Sequence, residues 1–215
     1  MIKAVIFDMD GVLTDSEPLI CAAAMAMFKE QGCQVKPADF RPFVGTGENR
    51  YIGGVAERYG LALDIAAAKK RTYELYLAMV PSRLKAFPGA VAFVRECRRH
   101  GLKTAIASSA DWIKVEANLN GIGLPPAEWT TLVTAEDVVH RKPAPDIFLA
   151  AASKMGFQPD QCVVVEDAIN GIEAARAAGM RCVAVAQTFP EHLLTQANLT
   201  RPSVDQLTVN DLLGG

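Results

Sequence analysis

The chain has 215 residues, half of them hydrophobic, and its 22 lysine and arginine residues against 24 aspartate and glutamate residues give a net charge of −2. This balance provides no general basic field for nucleic acid or for an acidic membrane surface, so a small anionic ligand would need a local site. The length suits one compact domain with a substantial insert.

The first predicted element is a short strand that ends in two acids. Ala4–Phe7 is apolar and partly β-branched, whereas Asp8, Asp10 and Gly11 are poor strand residues. Acids beyond the carboxyl end of a strand in an α/β sheet favour a site for a hard cation such as Mg²⁺, although an acidic turn would explain this pair alone equally well. A calcium loop does not fit, because the glycine comes fourth and the twelfth position, Leu19, is not an acid.

A block of three helices is predicted next. The periodicity of apolar residues favours helices at Pro18–Glu30, Glu48–Tyr59 and Asp64–Met79, and Pro81 is expected to break the last one. No strand pattern interrupts this block. We therefore expect an all-helical cap domain of residues 16–82, inserted into a core of residues 1–15 and 83–215, with hinges at the two junctions.

After residue 88, short apolar strands alternate with helices. This alternation predicts an α/β fold whose core is a Rossmann-like, doubly wound parallel sheet with helices on both faces. The predicted strands are Lys103–Ala107, Thr130–Val133, Cys162–Val165 and Cys182–Val185, and the predicted helices are Val91–Arg99, Trp112–Leu119, Pro145–Met155 and Ala168–Ala178.

Further polar groups follow the predicted strands. Ser108 and Ser109 end one strand, Glu166 and Asp167 end another, and Lys142 lies in a loop before a helix. Each of them alone has an ordinary explanation as a turn residue, a helix cap or a solvated lysine. Because the ends of parallel strands share one edge of a sheet, their joint placement predicts a single site that also includes the first two acids.

The runs DMDGVLTD, ASSAD, RKPAPDIF and VVVEDAINGIEAARAAG, in this order, resemble the four signature regions of the haloacid dehalogenase superfamily. The resemblance covers residues 1–13 and 89–185. A helical insert after the first strand resembles the cap of the beta-phosphoglucomutase and phosphoglycolate phosphatase branch.

This resemblance implies roles for the first two acids. Asp8 would be the nucleophile that forms an aspartyl-phosphate, and Asp10 would be the general acid and base. The spacing suits this chemistry, because in an extended segment the second carboxylate can reach the leaving oxygen while the first faces phosphorus.

The resemblance also implies an Mg²⁺ site and a phosphoryl site. The metal would be held by Asp8, by the backbone carbonyl of Asp10 and by Asp167, with Glu166 contributing directly or through water. The cation would allow a dianionic phosphate to approach an acidic site. Two further residues would bind the phosphoryl group, Ser108 and Lys142, and the lysine would also fix the nucleophile.

The implied activity is Mg²⁺-dependent hydrolysis of a small phosphorylated metabolite that is sugar phosphate-like. Carbon–halogen cleavage is disfavoured, because the dehalogenases lack the second aspartate, which is present here as Asp10. Beta-phosphoglucomutase-like phosphomutases carry a histidine, an arginine and a lysine where this chain has Ile20, Glu48 and Asp111, with Arg50 two residues further on. Hydrolysis is therefore favoured over a phosphomutase, and a non-catalytic regulatory module is the second alternative.

The cap loop Phe43–Glu48 is the candidate for substrate selection. Its two glycines allow close approach of the backbone to a ligand, although an ordinary turn before a helix is the alternative. The run GTGE in this loop also resembles the phosphatase-like domain of a plant chloroplast photoprotection protein. The predicted substrate-binding residues are Gly45, Thr46, Gly47, Glu48 and, from the core, Ser109.

Cysteine usage and hydropathy bear on the cellular compartment. The five cysteines have no paired metal-ligand spacing, and their odd number does not suggest a disulfide framework. No apolar run reaches the roughly 18 residues that span a bilayer. We expect a cytoplasmic monomer that binds neither nucleic acid nor membrane.

Overall fold

A six-stranded parallel sheet forms the centre of the molecule. The computed structural model describes residues 1–214. Its strands are β1 (Ala4–Phe7), β2 (Lys103–Ala107), β3 (Thr131–Val133), β4 (Cys162–Glu166), β5 (Arg181–Val185) and β6 (Leu199–Arg201). They lie in the order β3-β2-β1-β4-β5-β6 and are parallel at every pairing. The chain therefore winds outward from β1 in both directions, which confirms the predicted doubly wound fold.

Both faces of this sheet are buried. Val5 and Phe7 of β1 belong to one hydrophobic cluster, whereas Ala4 and Ile6 belong to another. Successive side chains of a strand point to opposite faces, so burial on both faces explains why the strand is apolar throughout. The helices are α1 (Glu17–Glu30), α2 (Pro37–Phe40), α3 (Glu48–Arg58), α4 (Ile65–Arg83), α5 (Ala90–Arg99), α6 (Trp112–Gly121), α7 (Asp146–Met155), α8 (Ile169–Ala177) and α9 (Val209–Leu213).

Helices α1 to α4 pack around a hydrophobic cluster of their own. Phe28, Phe40 and Tyr76 are fully buried in it, and the ring of Phe40 stacks on Tyr51 with the centroids 4.8 Å apart. The two clusters of the sheet contain no residue of this block. The division into a cap of residues 16–82 and a core of residues 1–15 and 83–215 stays a prediction, which these separate clusters support.

The two segments that join these helices to the sheet run side by side. The N–H of Asp15 donates to the carbonyl of Lys85, and the N–H of Phe87 donates to the carbonyl of Leu13, each at 3.0 Å. Backbone hydrogen bonds thus pair the two connections. Rotation about this pair would move the helical block without opening its hydrophobic cluster.

Pro81 does not break α4, contrary to the prediction. The helix continues to Arg83, and the N–H of Leu84 closes its last turn onto the carbonyl of Val80 at 3.1 Å. A proline this close to the end of a helix removes only one hydrogen bond, the one to the carbonyl of Leu77. The loss is therefore too small to end the helix at residue 79.

Three short elements are absent from the sequence-based predictions. Helices α2 and α9 have four and five residues, and strand β6 has three. Hydrophobic periodicity needs a longer window before it distinguishes a helix or strand from a loop. Hydrophobic periodicity therefore could not predict these three elements.

Candidate active site

The carboxyl ends of β1, β2 and β4 meet at one edge of the sheet. Phe7 is level with Ile106 of β2 and Val165 of β4, and the N–H of Asp8 continues this register by donating to the carbonyl of Val165 at 2.9 Å. The residues that follow these strands therefore lie side by side. A cavity of about 460 Å³ at this edge is lined by the predicted residues Asp8, Asp10, Ser108, Lys142, Glu166 and Asp167.

Lys142 connects Asp8 to Glu166. Its ammonium group donates to Asp8 Oδ1 at 2.5 Å, to Glu166 Oε1 at 2.7 Å and to the carbonyl of Ala107 at 3.3 Å. Burial by itself would lower the pKa of Lys142, but the two carboxylates outweigh burial and raise its pKa above the ordinary value. The lysine therefore remains charged although its side chain is only 3% exposed.

Three buried carboxylates surround this single lysine. Oxygen atoms of Asp8, Glu166 and Asp167 lie within 4.8 Å of one another. Burial raises the pKa of Asp8 to about 7 against the opposing effect of Lys142, and burial together with the two neighbouring acids raises the pKa of Asp167 well above its ordinary value. This surplus of buried negative charge, presented on oxygen ligands, fits a hard divalent cation such as Mg²⁺.

The acids differ in how free their oxygens are. Glu166 Oε1 accepts from Lys142, and Oε2 accepts from the backbone N–H groups of Asp167 and Ala168, both at 2.7 Å. Within residues 1–214, Asp8 Oδ2 accepts no hydrogen bond. Asp8 thus offers an open carboxylate oxygen, whereas Glu166 is better suited to contact a metal through water.

Two glycines allow the acids to pack this closely. A Cβ on Gly11, whose φ is +82°, would lie 2.0 Å from Asp167 Oδ2, and a Cβ on Gly171 would lie 1.7 Å from Glu166 Oε1. Any side chain at either position would displace an acid. Gly11 of the first sequence motif and Gly171 of the last are therefore needed for the acids to lie this close together.

Asp10 turns toward the helical block rather than toward the acidic cluster. Its Oδ2 accepts from Lys114 at 2.8 Å, and its Oδ1 accepts from the hydroxyl of Ser16 and from the amide of Asn118, the latter at 3.3 Å. Lys114 also contacts Glu48 Oε1 at 3.2 Å. Asp10 is consequently held at the boundary between the sheet and the cap helices.

Lys114 and Asn118 are site residues that sequence reasoning missed. Both lie on the buried face of α6 with Val115 and Leu119. Burial would lower the pKa of Lys114, but neighbouring acids, first among them Asp10, raise it well above its ordinary value. A lysine and an asparagine four residues apart on the apolar face of a predicted helix are unusual core residues, and this spacing was the available signal.

The predicted cap loop lies at the cavity, with one exception. The hydroxyl of Thr46 donates to the carbonyl of Phe43 at 2.7 Å, and Thr46 does not line the cavity. The amide of Asn170, from α8, donates to the carbonyl of Gly45 at 2.9 Å and so ties the loop to the core. The predicted residues that line the cavity here are Gly45, Gly47, Glu48 and Ser109.

Glu17 is a further cap acid at the cavity that sequence reasoning missed. It is the first residue of α1, and its Oε1 accepts a hydrogen bond from the hydroxyl of Tyr51 at 2.7 Å. Burial raises the pKa of Glu17 to about 7. An acid at this position also suits the N-terminus of a helix, so the sequence pattern alone did not mark it.

A doubly wound sheet that carries an aspartate pair after β1, a lysine and a further acid pair at one edge is the framework of a known class of hydrolases. The chain matches the family model of the haloacid dehalogenase-like hydrolases over residues 2–179. The protein belongs to this family, as its motifs predicted.

Individual relatives include a plant protein and two bacterial ones. The chloroplast protein SUPPRESSOR OF QUENCHING 1 of Arabidopsis thaliana is 47% identical over all of this chain, which covers only 21% of that protein. Fructose-1-phosphate phosphatase YqaB of Escherichia coli is 36% identical over 84% of this chain and 94% of its own length. CbbY from Rhodobacter sphaeroides, solved with phosphate and, as a mutant, with xylulose-(1,5)bisphosphate, is 27% identical with a TM-score of 0.88 over 96% of both chains.

These comparisons bear only partly on cellular location. None of the helices in residues 1–214 combines the length and apolar character needed to cross a membrane. The Arabidopsis relative is a chloroplast protein. The cytoplasmic location and the monomeric state therefore stay predictions.

Proposed function

We propose that this protein is an Mg²⁺-dependent phosphatase that hydrolyses a small, sugar phosphate-like metabolite through an aspartyl-phosphate on Asp8. The observation that carries the proposal is the contrast between the two aspartates of the first motif. Asp8 lies beside Lys142 in the acidic cluster, whereas Asp10 is held by Lys114 at the cap. One carboxylate can therefore face phosphorus while the other faces the leaving oxygen.

In the first step, an oxygen of Asp8 forms a bond to phosphorus while the bond from phosphorus to the leaving oxygen breaks. Asp10 donates a proton to that leaving oxygen. Lys142 fixes Asp8 and binds a phosphoryl oxygen. Ser108 contributes a second contact, because its Oγ accepts from the N–H of Ala110 at 3.1 Å and its own hydroxyl hydrogen is left to donate.

In the second step, water attacks the phosphorus of the aspartyl-phosphate. Asp10, now a carboxylate, takes a proton from this water, the bond to the Asp8 oxygen breaks, and inorganic phosphate leaves. Both steps use the same pair of residues in reversed protonation states. The site needs no other acid or base.

The acidic cluster supplies the residues that would hold Mg²⁺. These are Asp8, the backbone carbonyl of Asp10 and Asp167, with Glu166 acting through water because its oxygens are engaged by protein donors. When bound, the cation would neutralise the carboxylates and the phosphoryl oxygens. Without such neutralisation, the cluster would repel a phosphate dianion.

The relatives support phosphoryl chemistry on sugar-like substrates. YqaB is named a fructose-1-phosphate phosphatase, and CbbY has been solved with phosphate. The solved neighbours also include a putative beta-phosphoglucomutase from Thermotoga maritima. The site argues against that activity here, because Asp111 stands where the mutases carry a lysine and is paired with Lys69 of the cap at 2.6 Å. Retention of the whole predicted set of catalytic side chains argues against a purely regulatory module.

A phosphate-release panel tests this proposal. Purified protein with Mg²⁺ should release inorganic phosphate from one or more sugar phosphates, and Asp8→Asn should lower the rate at least about a thousandfold because the nucleophile is gone. A matched control is Asp160→Asn, which makes the same chemical change at an exposed position outside the cavity. The control should retain full activity.

Two outcomes would contradict the proposal in different ways. Absence of turnover on every ester, with Asp8→Asn indistinguishable from wild type, would remove the enzyme assignment. Conversion of one sugar phosphate into an isomer that depends on a bisphosphate activator, without release of phosphate, would favour the phosphomutase instead.

A further inference from the structure

The turn that follows β1 carries the backbone carbonyl that would bind Mg²⁺. In this turn the carbonyl of Met9 accepts from the N–H groups of Leu13 and Thr14, at 2.9 and 3.0 Å, and the carbonyl of Thr14 accepts from the N–H of Gly11 at 3.0 Å. Within residues 1–214, the carbonyl of Asp10 accepts no hydrogen bond. It is therefore the carbonyl of this turn that can serve as a metal ligand.

The next two carbonyls of the turn receive their hydrogen bonds from a side chain. Nε2 of Gln187 donates to the carbonyl of Gly11 at 2.7 Å and to the carbonyl of Val12 at 3.3 Å. No backbone N–H within residues 1–214 donates to either oxygen. Oε1 of Gln187 accepts from the N–H of Val204 at 2.8 Å. Because a carbonyl only accepts and an N–H only donates, these partners fix the orientation of the amide.

The sheet determines where Gln187 lies. Strand β5 ends at Val185, which is level with Arg201 of β6, and the N–H of Ala186 extends this register by donating to the carbonyl of Arg201 at 2.9 Å. Val204, the partner at the other end of the amide, is fully buried. Gln187 also lines the cavity. Its side chain therefore joins the turn after β1 to parts of the core that the sheet and its packing already hold in place.

The turn that Gln187 holds lies directly against the acidic cluster. A Cβ on Gly11 would meet Asp167 Oδ2 at 2.0 Å on one side and Oγ1 of Thr188, the neighbour of Gln187, at 2.6 Å on the other. A turn packed this closely cannot shift toward the acid without displacing it. The positions of the Asp10 carbonyl and of the Asp167 carboxylate are therefore linked through Gly11.

We propose that Gln187 is a positioning residue for the Mg²⁺ site: by binding the two carbonyls that follow, it holds the carbonyl of Asp10 where it can join Asp8 and Asp167 on the metal. This inference rests on the proposed function, which requires that metal. Gln187 lies beyond residue 179, where the match to the family model ends. Its role is therefore argued from the hydrogen bonds of this chain and not carried over from the family's motifs.

Gln187→Met tests the inference, because methionine has a similar length but cannot donate to the two carbonyls. The Kd for Mg²⁺, measured from the melting temperature of metal-free protein titrated with magnesium chloride, should rise about tenfold, the effect typical of residues that orient metal ligands. The kcat for phosphate release should fall at limiting Mg²⁺ and recover most of the loss at saturating Mg²⁺. The KM for the phosphate ester should change little.

Two further variants separate this role from a general effect on folding. Gln206→Met makes the same chemical change two residues after Val204, at an exposed position outside the cavity, and should keep the wild-type Kd for Mg²⁺. Gln187→Asn keeps the amide but shortens the side chain by one methylene, so that it cannot span its partners. It should also weaken Mg²⁺ binding, and it provides the test if Gln187→Met does not fold.

Three results would overturn the inference. The first is a wild-type Kd for Mg²⁺ in folded Gln187→Met, or in Gln187→Asn if only that variant folds. The second is an equal rise of the Kd in Gln206→Met, which would assign the effect to the C-terminal segment in general. The third is a loss of kcat at an unchanged Kd that saturating Mg²⁺ does not relieve.

Failure of this inference can be distinguished from failure of the proposed function. Hydrolysis that depends on Asp8 and Mg²⁺, with a Kd for Mg²⁺ that is insensitive to Gln187, would remove the inference and keep the phosphatase. Mg²⁺ binding that depends on Gln187 in a protein that hydrolyses no ester would remove the phosphatase and keep the positioning role. Absence of Mg²⁺ binding to the wild-type protein would remove both.

Discussion

The two halves of the cavity are built in different ways. The phosphoryl half (Asp8, Lys142, Glu166 and Asp167) consists of core residues, with Asp8 and the acid pair fixed by the register of β1 and β4. The leaving-group half joins Asp10 and Lys114 of the core to Glu17 and Glu48 of the cap helices. The first half therefore lies at one edge of the sheet, whereas the second exists only where α1 and α3 lie against α6 and the segment after β1.

Removal of the metal should produce the largest effect, and it acts on the phosphoryl half. Excess EDTA should lower phosphate release at least about a thousandfold, since a bound cation contributes several kcal/mol to charge stabilisation. Mg²⁺ added back in excess should restore the rate. Full activity in EDTA, measured with a continuous phosphate assay, would mean that the acidic cluster works without a cation.

Asp10→Asn should have the next largest effect, and its size should depend on the leaving group. With a sugar phosphate, loss of the general acid should lower kcat by about 10²- to 10⁴-fold. With 4-nitrophenyl phosphate, whose leaving group needs no proton, the first step should be much less affected, as a pre-steady-state burst of nitrophenolate would reveal. A loss of the nitrophenolate burst rate as large as the loss of kcat on the sugar phosphate would contradict the assignment of Asp10 to the leaving-group half.

Lys114→Met should have a smaller effect on the same half. Lys114 is a positioning residue for Asp10, so its removal should lower kcat by up to about a hundredfold, the cost expected for a displaced catalytic group, with little change in KM. The double variant with Asp10→Asn should lose little more than Asp10→Asn alone, because both act through one interaction.

Lys69→Met provides the matched control for this experiment. Lys69 also joins the cap to the core, through Asp111 at 2.6 Å, but it does not line the cavity. Lys69→Met should therefore leave the kcat for the sugar phosphate near the wild-type value in the same steady-state assay. A similar loss in both lysine variants would assign the effect to docking of the cap in general.

Glu17→Gln should have the smallest effect of this series. The expected effect is a change in melting temperature, and the direction of that change is informative. Burial raises the pKa of Glu17 from 4.5 to about 7. Because the folded state holds this proton more tightly than the unfolded state, the stability it contributes at low pH is lost as the pH rises from about 4.5 to 7. The glutamine variant should therefore melt a few degrees higher than wild type at pH 8, at roughly 2–4 °C per kcal/mol, and show a smaller difference at pH 5.

The converse result would be equally clear. A lower melting temperature for Glu17→Gln at pH 8 would mean that the ionised carboxylate stabilises the fold. Glu17 would then stabilise the folded protein, rather than being retained in the cavity at a cost in stability.

The phosphoryl half was largely predictable from the sequence, because its determinants are local. Apolar strands are readable from short runs, and parallel strands place their carboxyl ends at one edge, so the strand pattern alone was enough to bring Asp8 and Glu166 together. The leaving-group half was less predictable. Lys114 and Glu17 reach the cavity only through the way in which the cap packs on the core, and Thr46 turns back to its own loop.

The proposed phosphorylation of Asp8 is tested most directly by trapping the intermediate. Protein turning over 4-nitrophenyl phosphate would be quenched in acid, reduced with borohydride and mapped by peptide mass, since reduction converts an aspartyl-phosphate to homoserine. The Asp10→Asn variant should accumulate this product at position 8, because hydrolysis of the intermediate lacks its proton acceptor. Release of phosphate at the wild-type rate with position 8 unmodified in both proteins would contradict the account.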